Sequence, residues 1–194
     1  MGVPMHKISL AEYMAWEAEQ DSRNEFCRGE VFAMVGGRRG HSRIIGNLVR
    51  HLGNHLDGTS CQVFSEGMKV QIADDTVLYP DVFVTCDKRF RFDELVVTEP
   101  ILVVEVLSPA TQGYDRSAKF AFYRRLASLR EYGLIDPDTR RVEVFRPAED
   151  GHWKLFDMSG GDVLSLESVG CKIELAAVFK GMDSDVQPSA DGAG

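Results

Sequence analysis

The amino-acid sequence predicts a single α/β domain: a mixed β-sheet flanked by helices, with an N-terminal helix and hairpin and extra C-terminal strands. Its 194 residues, 44% of them hydrophobic, are enough for one domain with a sizeable core. Stretches of strand character, alternating or continuously apolar, are interspersed with stretches whose apolar residues recur at helical spacing. Neither a repeat nor a linker interrupts them. Residues 1–182 are therefore assigned to one domain, and residues 183–194 are expected to form a disordered tail.

The N-terminal third predicts a helix, a hairpin and a second helix. Ser9 and Glu12 form a capping-box pattern at the start of "SLAEYMAWEAEQ". "RNEFCRGEVFAMVGG" predicts a hairpin that turns at Arg28 and Gly29. "HSRIIGNLVRHLGNHL" predicts an amphipathic helix. Its expected apolar face consists of Ile45, Leu48, Val49, Leu52 and Leu56.

The middle and C-terminal parts predict mostly strands. "CQVFS", "GMKVQI" and "LYPDVFVTC" read as strands, with a turn at Asp74 and Asp75. "ILVVEVL" is continuously apolar except for one acid, which predicts a strand covered on both faces. A helix is expected from about Asp115 to Leu126, and "EYGLID", "RRVEVFRP" and "HWKLFDM" predict further strands.

Charge, cysteine content and hydropathy argue against several classes of protein. The chain has 22 basic and 30 acidic residues, a net charge of −8, which argues against a generic nucleic-acid coat protein but leaves room for a local basic groove. Its four cysteines are widely spaced without a CxxC pair, so we expect reduced thiols in a cytoplasmic protein rather than disulfides or a zinc site. No apolar run approaches the roughly 18 residues of a membrane span, and no signal-peptide core is present.

Two acidic residues stand on strands that are otherwise apolar. Asp81 opens one strand and Glu105 lies late in the next long one. A carboxylate in a dry interior is costly unless a salt bridge, a proton or a metal compensates it. Either acid alone also fits a strand end that faces water or a lysine, but the pair predicts two oxygen ligands at one point. Such ligands suit Mg²⁺ or Mn²⁺, with the backbone carbonyl of Val106 as a third.

Several motifs occur in order between about residue 7 and residue 180, among them "RNEFCRGEV", "YPDV", "VVEVLSPAT" and "EYGLID". This set resembles the PD-(D/E)XK nuclease superfamily, which has the restriction-endonuclease-like fold. Within it, the chain is similar to the Uma-type family of candidate restriction endonucleases, long described as a domain of unknown function. The superfamily strand reads acid–any–lysine, whereas this chain has Leu107 at the lysine position. In the Uma-type family the lysine has moved to the following helix, where this chain has Lys119 in "DRSAKFAFY".

The resemblance implies roles for four residues. Asp81 and Glu105 match the two metal-binding acids, and Glu25 matches the upstream acid of the superfamily. Lys119 matches the migrated lysine, whose ammonium would hold the attacking water and stabilise the pentavalent phosphate. Two simpler interpretations stay open: Glu25 as a solvated strand residue, and Lys119 as the surface partner of Asp115 four residues earlier.

A second group of residues is expected to bind the substrate. Its members are Arg38, Arg39, His41, Arg43, Ser108 and Tyr123. The arginines surround His41 at a helix N-terminus, where free amides favour anions, although a solvated charge run also fits. Ser108 reaches a phosphate or caps its loop, and Tyr123 hydrogen-bonds into the site or packs. Elsewhere, His51 and His55 are expected at the surface, and "DKRFRFDE" contacts nucleic acid or is an ordinary crossover loop.

The function expected from these residues and the resemblance is Mg²⁺- or Mn²⁺-dependent hydrolysis of phosphodiester bonds in nucleic acid, with DNA as the preferred polymer. Two other classes stay open: a nucleic-acid-binding or assembly module that keeps the fold but cuts nothing, and a metal-dependent hydrolase of small phosphoesters. No membrane contact is expected. A homodimer is expected because dimers are common in this fold.

Overall fold

The strands form two main sheets and a small antiparallel pair in the computed structural model, which describes residues 7–34, 36–89, 91 and 93–182. The first sheet has the order β2-β1-β5-β4-β7, the second has the order β11-β10-β9-β8-β6-β3, and β12 pairs with β13. The strands are β1 (Asn24–Cys27), β2 (Glu30–Ala33), β3 (Gln62–Ser65), β4 (Lys69–Ile72), β5 (Thr76–Leu78), β6 (Val82–Thr85), β7 (Val96–Val97), β8 (Pro100–Val106), β9 (Glu131–Asp136), β10 (Arg141–Pro147), β11 (Trp153–Met158), β12 (Val163–Leu166) and β13 (Cys171–Glu174).

The helices lie between and around these sheets. They are α1 (Leu10–Glu17), α2 (Arg39–Leu56), α3 (Gln112–Tyr114), a π-helical turn (Asp115–Lys119), α4 (Phe120–Tyr123) and α5 (Leu175–Val178), with short 3-10 turns at Ala73–Asp75 and Glu167–Val169. Within the described residues, no helix has the combination of length and apolar character that crossing a bilayer requires.

The N-terminal elements confirm the sequence prediction. The Ser9 side chain accepts a hydrogen bond from the backbone amide of Glu12, whose carboxylate in turn accepts from the Ser9 amide, so the capping box is present. The hairpin of β1 and β2 turns at Arg28 and Gly29, with φ angles of 52° and 91°. Two successive residues in the left-handed region match the tight hairpin turn that the strand twist favours.

Strand β8 lies at the centre of the second sheet, parallel to β9 and antiparallel to β6. Its side chains alternate between two separate apolar clusters. Leu102, Val104 and Val106 pack in one cluster with the buried face of α2. Val103, and Leu107 directly after the strand, pack in the other cluster with Phe122 and Tyr123 of the helical segment 112–123. Both faces of β8 are therefore covered, as its continuous apolar character predicted. Glu105 belongs to the face that the helical segment covers.

Three element predictions need correction. "LYPDVFVTC" is not one strand: β5 ends at Leu78 in the first sheet, and β6 begins at Val82 in the second. Pro80 lacks an amide hydrogen, and the chain crosses between the sheets here. The helix expected over Asp115–Leu126 spans 112–123 instead. The short strands β7, β12 and β13 and helix α5 were not predicted, because their apolar residues are too few to show a period.

The prediction of four reduced cysteines was wrong for two of them, because Cys61 and Cys86 form a disulfide. Strands β3 and β6 pair antiparallel with Gln62 opposite Thr85. Cys61 precedes Gln62 and Cys86 follows Thr85, so the two cysteines face each other with a Cα–Cα separation of 4.0 Å. Cys27 and Cys171 are free. The tail expected at 183–194 lies outside the described residues.

Candidate functional site

The two strand acids predicted to act together do meet in the fold. The pairing of β6 with β8 sets Val82 opposite Val104, which places Asp81 beside Glu105. The amide of Asp81 donates to Glu105 Oε2 at 3.3 Å, and the amide of Val106 donates to Asp81 Oδ2 at 2.7 Å. Glu105 is only 2% exposed. Sheet register and main-chain hydrogen bonds thus fix both carboxylates at the ends of two core strands.

Lys119 projects from the helical segment back to these acids. Its Nζ lies 3.1 Å from Glu25 Oε1, 3.2 Å from Glu105 Oε1 and 3.7 Å from Asp115 Oδ1. The residue is 7% exposed, which excludes the solvated helix face and the surface pair with Asp115. The salt bridge to Glu105 matches the geometry expected of a migrated lysine. Its catalytic role stays a prediction.

The π-helical turn sets the direction of the lysine. Asp115 and Lys119, at its two ends, are both buried on the side that faces β8. The Tyr132 hydroxyl on β9 donates to the backbone carbonyl of Asp115 at 2.9 Å, which anchors the turn to the sheet. π-helical turns are rare and are often found at functional sites because they redirect side chains within a helix.

Glu25 is held by a support network on the first sheet. It lies on β1, is 7% exposed and accepts a hydrogen bond from the Tyr79 amide at 3.1 Å. The Tyr79 hydroxyl donates to Glu17 at 2.8 Å, and Glu17 also accepts from the amide and side chain of Asn24. Glu25 is therefore not a solvated hairpin residue, since two elements fix its carboxylate beside Lys119.

The electrostatics of this cluster are unbalanced. Burial raises the pKa of Glu105 well above its usual value, and the nearby Lys119 ammonium offsets only part of that rise. Burial likewise raises the pKa of Asp115, again opposed by Lys119. Burial lowers the pKa of Lys119, but the carboxylates of Glu105, Glu25 and Asp115 outweigh it, so the net pKa lies well above the usual value. Lys119 stays protonated, while the acids around it compete for one positive charge.

The residues predicted to bind substrate divide into two groups. A cleft of about 610 Å³ is lined by Arg38, Arg39, His41, Arg43 and Ser108. Tyr123 does not line it. That side chain is fully buried and its hydroxyl donates to Glu105 Oε1 at 3.3 Å.

The cleft is lined by three arginines that form no ion pair with the residues that the structure describes. Arg38, Arg39 and Arg43 are exposed, and among the described residues none has a carboxylate within 4.0 Å. Other arginines of this acidic chain, among them Arg116, Arg125 and Arg146, do form such pairs. The first turn of α2 contains no acidic residue and no side-chain cap, so its amides add to the positive potential. Ser108 lines the opposite side, where its hydroxyl also contacts Thr111 at 3.0 Å.

His41 connects the cleft to the acids. Its Nε2 lies 3.2 Å from Asp81 Oδ2. Burial lowers the pKa of His41, but the hydrogen bond and charge of Asp81 outweigh this, and the net pKa is raised. A side chain at position 37 would collide with the imidazole, since a Cβ there would lie 2.6 Å from Nδ1. Gly37 therefore lets the loop close over His41.

Sequence reasoning missed two acids of the site. Asp115 was considered only as a surface partner, although its spacing from Lys119 already placed it on the same helix face. Glu66, in the turn between β3 and β4, lies within 4.8 Å of His41 and Asp81, measured between ligand atoms. Only the pairing of β3 with β6 brings Glu66 there, and the sequence alone did not reveal that pairing.

The described residues of two other predicted features have partners outside the site. His55 is exposed and its Nε2 contacts the carbonyl of Val169, while His51 contacts Arg50. In "DKRFRFDE", Arg89 pairs with Asp87 and Glu99 at the surface. The two phenylalanines of that loop lie outside the described residues, so stacking on nucleic acid stays a prediction.

Comparisons with known proteins agree with this architecture. Residues 10–177 match the family described as "Uma2: Putative restriction endonuclease". An uncharacterized protein of Synechocystis sp., slr1290, is 36% identical over 180 residues, which cover 92% of this chain and 95% of that protein. A second one from the same organism, sll1609, is 34% identical over 156 residues, covering 79% and 88%.

A solved structure from Anabaena variabilis, described as "a putative nuclease belonging to DUF820", superposes with a TM-score of 0.75 at 18% identity. The match covers 90% of this chain and 99% of that one, which shows a shared restriction-endonuclease-like fold. The family match contains Glu25, Asp81, Glu105 and Lys119. On this evidence, the chain is a member of the Uma2 family of restriction-endonuclease-like proteins.

Proposed function

We propose that the protein is an endonuclease that hydrolyses phosphodiester bonds of nucleic acid, with DNA as the preferred polymer, and that it requires Mg²⁺ or Mn²⁺. Family and fold already suggest a nuclease of the restriction-endonuclease-like type. The observation that carries the finer proposal is the charge of the buried cluster. Glu25, Glu105 and Asp115 all lie within 3.7 Å of a single ammonium, that of Lys119, and Asp81 adjoins Glu105.

Such an excess of carboxylates is costly in a protein interior unless protons or cations enter. A purely structural salt bridge would need only one acid for the lysine. The raised pKa values of Glu105 and Asp115 indicate that protons compensate part of the charge when no metal is bound. A divalent cation would compensate it at neutral pH.

The residues present fit a hard cation. Asp81 and Glu105 offer carboxylate oxygens and Val106 offers a backbone carbonyl, the ligand type that Mg²⁺ and Mn²⁺ prefer. The register of β6 and β8, which pairs Val82 with Val104, supports this assignment because it sets Asp81 beside Glu105, the residue before Val106. When bound, the metal would lower the pKa of water and neutralise charge that grows on the phosphate.

The side chains of the protein have separate tasks in this proposal. Lys119 stays charged and would stabilise the phosphate in its pentavalent transition state, while Glu25 and Asp115 hold the ammonium in place. Arg38, Arg39 and Arg43 would bind phosphates of the backbone that lie in the cleft. Water adds to phosphorus and one P–O ester bond breaks, which leaves a phosphate end and a hydroxyl end.

The test is cleavage of a mixed panel of DNA, RNA and a small phosphodiester with Mg²⁺ or Mn²⁺. Wild type is compared with Asp81→Ala and Lys119→Ala, and with the matched controls Asp74→Ala and Lys172→Ala, which change exposed residues. Each site variant should lose about two to four orders of magnitude in rate, the usual scale for one electrostatic or proton-transfer group. The control variants should cut like wild type.

Three outcomes would contradict the proposal. Binding of DNA without any metal-dependent cleavage would favour a non-catalytic binding module. Turnover of the small phosphodiester alone would favour a small-phosphoester hydrolase. Cleavage that survives Asp81→Ala or Lys119→Ala would place the active site elsewhere. The expected homodimer stays a prediction, and light scattering of the purified protein tests it.

A further inference from the structure

A second group of potential metal ligands lies on the cleft side of Asp81. A ring nitrogen of His41, a Glu66 carboxylate oxygen and an Asp81 carboxylate oxygen all lie within 4.8 Å of one another. Within the described residues, no other set of three histidine, cysteine or acidic side chains meets this criterion. The three side chains come from the first turn of α2, the turn between β3 and β4, and the start of β6.

The chain fixes these residues from three directions. The Glu66 amide donates to the carbonyl of Asp81 at 3.3 Å, so the two turns are tied together. Residues Ser65 and Val82 pair across β3 and β6, immediately beside Glu66 and Asp81. His41 approaches from the helix, with Nε2 3.2 Å from Asp81 Oδ2 and Nδ1 enclosed by protein. The cluster is therefore part of the fold and not a chance approach of surface side chains.

Apart from the nearby His41 imidazole, no described residue faces the Glu66 carboxylate as a partner of opposite charge. The Glu66 side chain is partly buried, yet the described residues provide neither a hydrogen-bond donor nor a cationic partner for its carboxylate. A protonated His41 would balance one of the two carboxylates and leave the other unbalanced. A divalent cation would balance both and needs only a neutral imidazole.

We propose that His41, Glu66 and Asp81 form a binding site for a first-row divalent transition metal such as Mn²⁺ or Zn²⁺. One imidazole nitrogen and two carboxylate oxygens make a mixed set that suits these ions, whereas Mg²⁺ prefers oxygen alone. Bonds of about 2.1 Å hold such ligands roughly 3–4 Å apart, so small side-chain rotations complete the site.

Three protein ligands leave coordination positions open, and His41 lines the arginine-rich cleft. A ligand anion in that cleft, such as a phosphate, can therefore reach the ion. Asp81 is shared with the Mg²⁺ site proposed above, so the two sites would adjoin. The His41–Glu66–Asp81 site nevertheless stands without any nuclease activity, because it rests on its own three ligands.

Metal titrations of the intact protein separate the two sites. The probes are Mn²⁺ in calorimetry and Co²⁺ in optical and proton NMR spectra, each without nucleic acid. His41→Gln and Glu66→Gln should each weaken metal binding at this site by about tenfold or more. Loss of a residue that only hydrogen-bonds to a metal ligand already lowers metal affinity by about that factor. Glu105→Gln should leave it intact, and Asp81→Asn should remove it.

The Co²⁺ spectrum gives a signature specific to His41. Metal on Nε2 puts the proton on Nδ1, which is shielded from solvent. A paramagnetically shifted imidazole proton that exchanges slowly should appear in wild type and Glu105→Gln and be absent in His41→Gln. His51→Gln is the matched control. It also tests whether the pair of His51 and His55 binds the metal ion instead. Circular dichroism verifies folding, and Glu66→Gln, in a turn, provides a second variant if His41→Gln unfolds.

Unchanged Mn²⁺ affinity in both His41→Gln and Glu66→Gln would overturn the proposal, as would loss of all binding in Glu105→Gln or the absence of a shifted imidazole proton. The nuclease proposal fails by a different result. A wild-type protein that binds Mn²⁺ through His41 and Glu66 but cleaves nothing would support this site and refute that function.

Discussion

Replacing Lys119 with methionine tests the central cluster most directly. The substitution keeps much of the side-chain length and removes the ammonium that lies 3.1–3.7 Å from Glu25, Glu105 and Asp115. At an effective dielectric constant of about 20, each of these contacts corresponds to about 4.5–5.4 kcal/mol of Coulomb attraction. The cost of burying the charges offsets most of that sum. Breaking a buried ion pair by removing one partner typically costs about 3–5 kcal/mol, which is the loss we expect near pH 8.

The loss should depend on pH in a defined direction. Lys119 lowers the pKa values of Glu105 and Asp115, which burial has raised above the usual 4.5 and 3.8. Without the lysine, both pKa values rise further, so the folded state binds more protons than the unfolded state above those usual values. Stability then falls as pH rises through this window. The destabilisation should therefore be smaller at about pH 5.5 than at pH 8, because the raised pKa values let the carboxyl groups take up protons as the pH falls.

The assay is urea unfolding monitored by circular dichroism in EDTA, at both pH values, for wild type, Lys119→Met and the exposed control Lys172→Met. The control should match wild type within about 0.5 kcal/mol. A loss below about 1 kcal/mol at pH 8 would refute the reasoning, because a solvent-exposed salt bridge contributes no more than that to stability. An equal loss at both pH values would mean that the acids do not take up the protons.

Four further changes test other parts of the structure. Glu105→Gln should raise the metal-free melting temperature at neutral pH and flatten its decline with pH above about 4.5, since the raised pKa of the wild-type carboxyl opposes its ionisation. Asp81→Asn should raise the metal-free melting temperature and abolish the rise that Mg²⁺ or Mn²⁺ causes in wild type, because clustered carboxylates repel without metal. Cys61→Ser should cost about 3 kcal/mol of stability in unfolding without reductant, because the disulfide closes a loop with a separation of 25 residues. Leu107→Lys should partly restore cleavage to Lys119→Met, because Leu107, the residue directly after β8, continues the face of that strand to which Glu105 belongs.

Each of these has a contrary result. A pH profile unchanged by Glu105→Gln would mean that its carboxyl titrates normally. A metal-induced rise that persists in Asp81→Asn would place the cation elsewhere. Equal stability of wild type and Cys61→Ser without reductant would show that the disulfide contributes nothing. No rescue by Leu107→Lys, in a variant that folds, would show that the helix position of the lysine is required.

The strand acids and the lysine could be predicted because their neighbours restrict them. Glu105 interrupts a continuously apolar strand, and a carboxylate there demands compensation whatever the tertiary structure. Lys119 was found through the resemblance, and its helical spacing allowed it to reach back. The residues next to them in the sequence were therefore enough to mark them as candidates for the site.

Other features could not be predicted because they depend on pairings distant in sequence. Glu66 and the Cys61–Cys86 disulfide both depend on β3 lying beside β6 in one register. The sequence predicts that both segments are strands, but it does not predict which strand each of them pairs with. Likewise, the division of "LYPDVFVTC" between two sheets reflects where the chain crosses over, a tertiary event that leaves only a proline as a local mark.

The π-helical turn at Asp115–Lys119 restricts how the length of this segment can change. A π turn closes on bonds five residues apart and so holds one residue more than an α-helical turn; a further insertion between Asp115 and Lys119 would rotate the lysine away from β8 by about 100°, the advance of one helical residue. Exposed positions such as Arg116 and Ser117 can change identity without that consequence. An insertion cannot, whereas deletion of one residue would leave an ordinary α-helical turn with the two side chains three residues apart on one face, so relatives that keep the lysine in the cluster should show no insertion between these two positions.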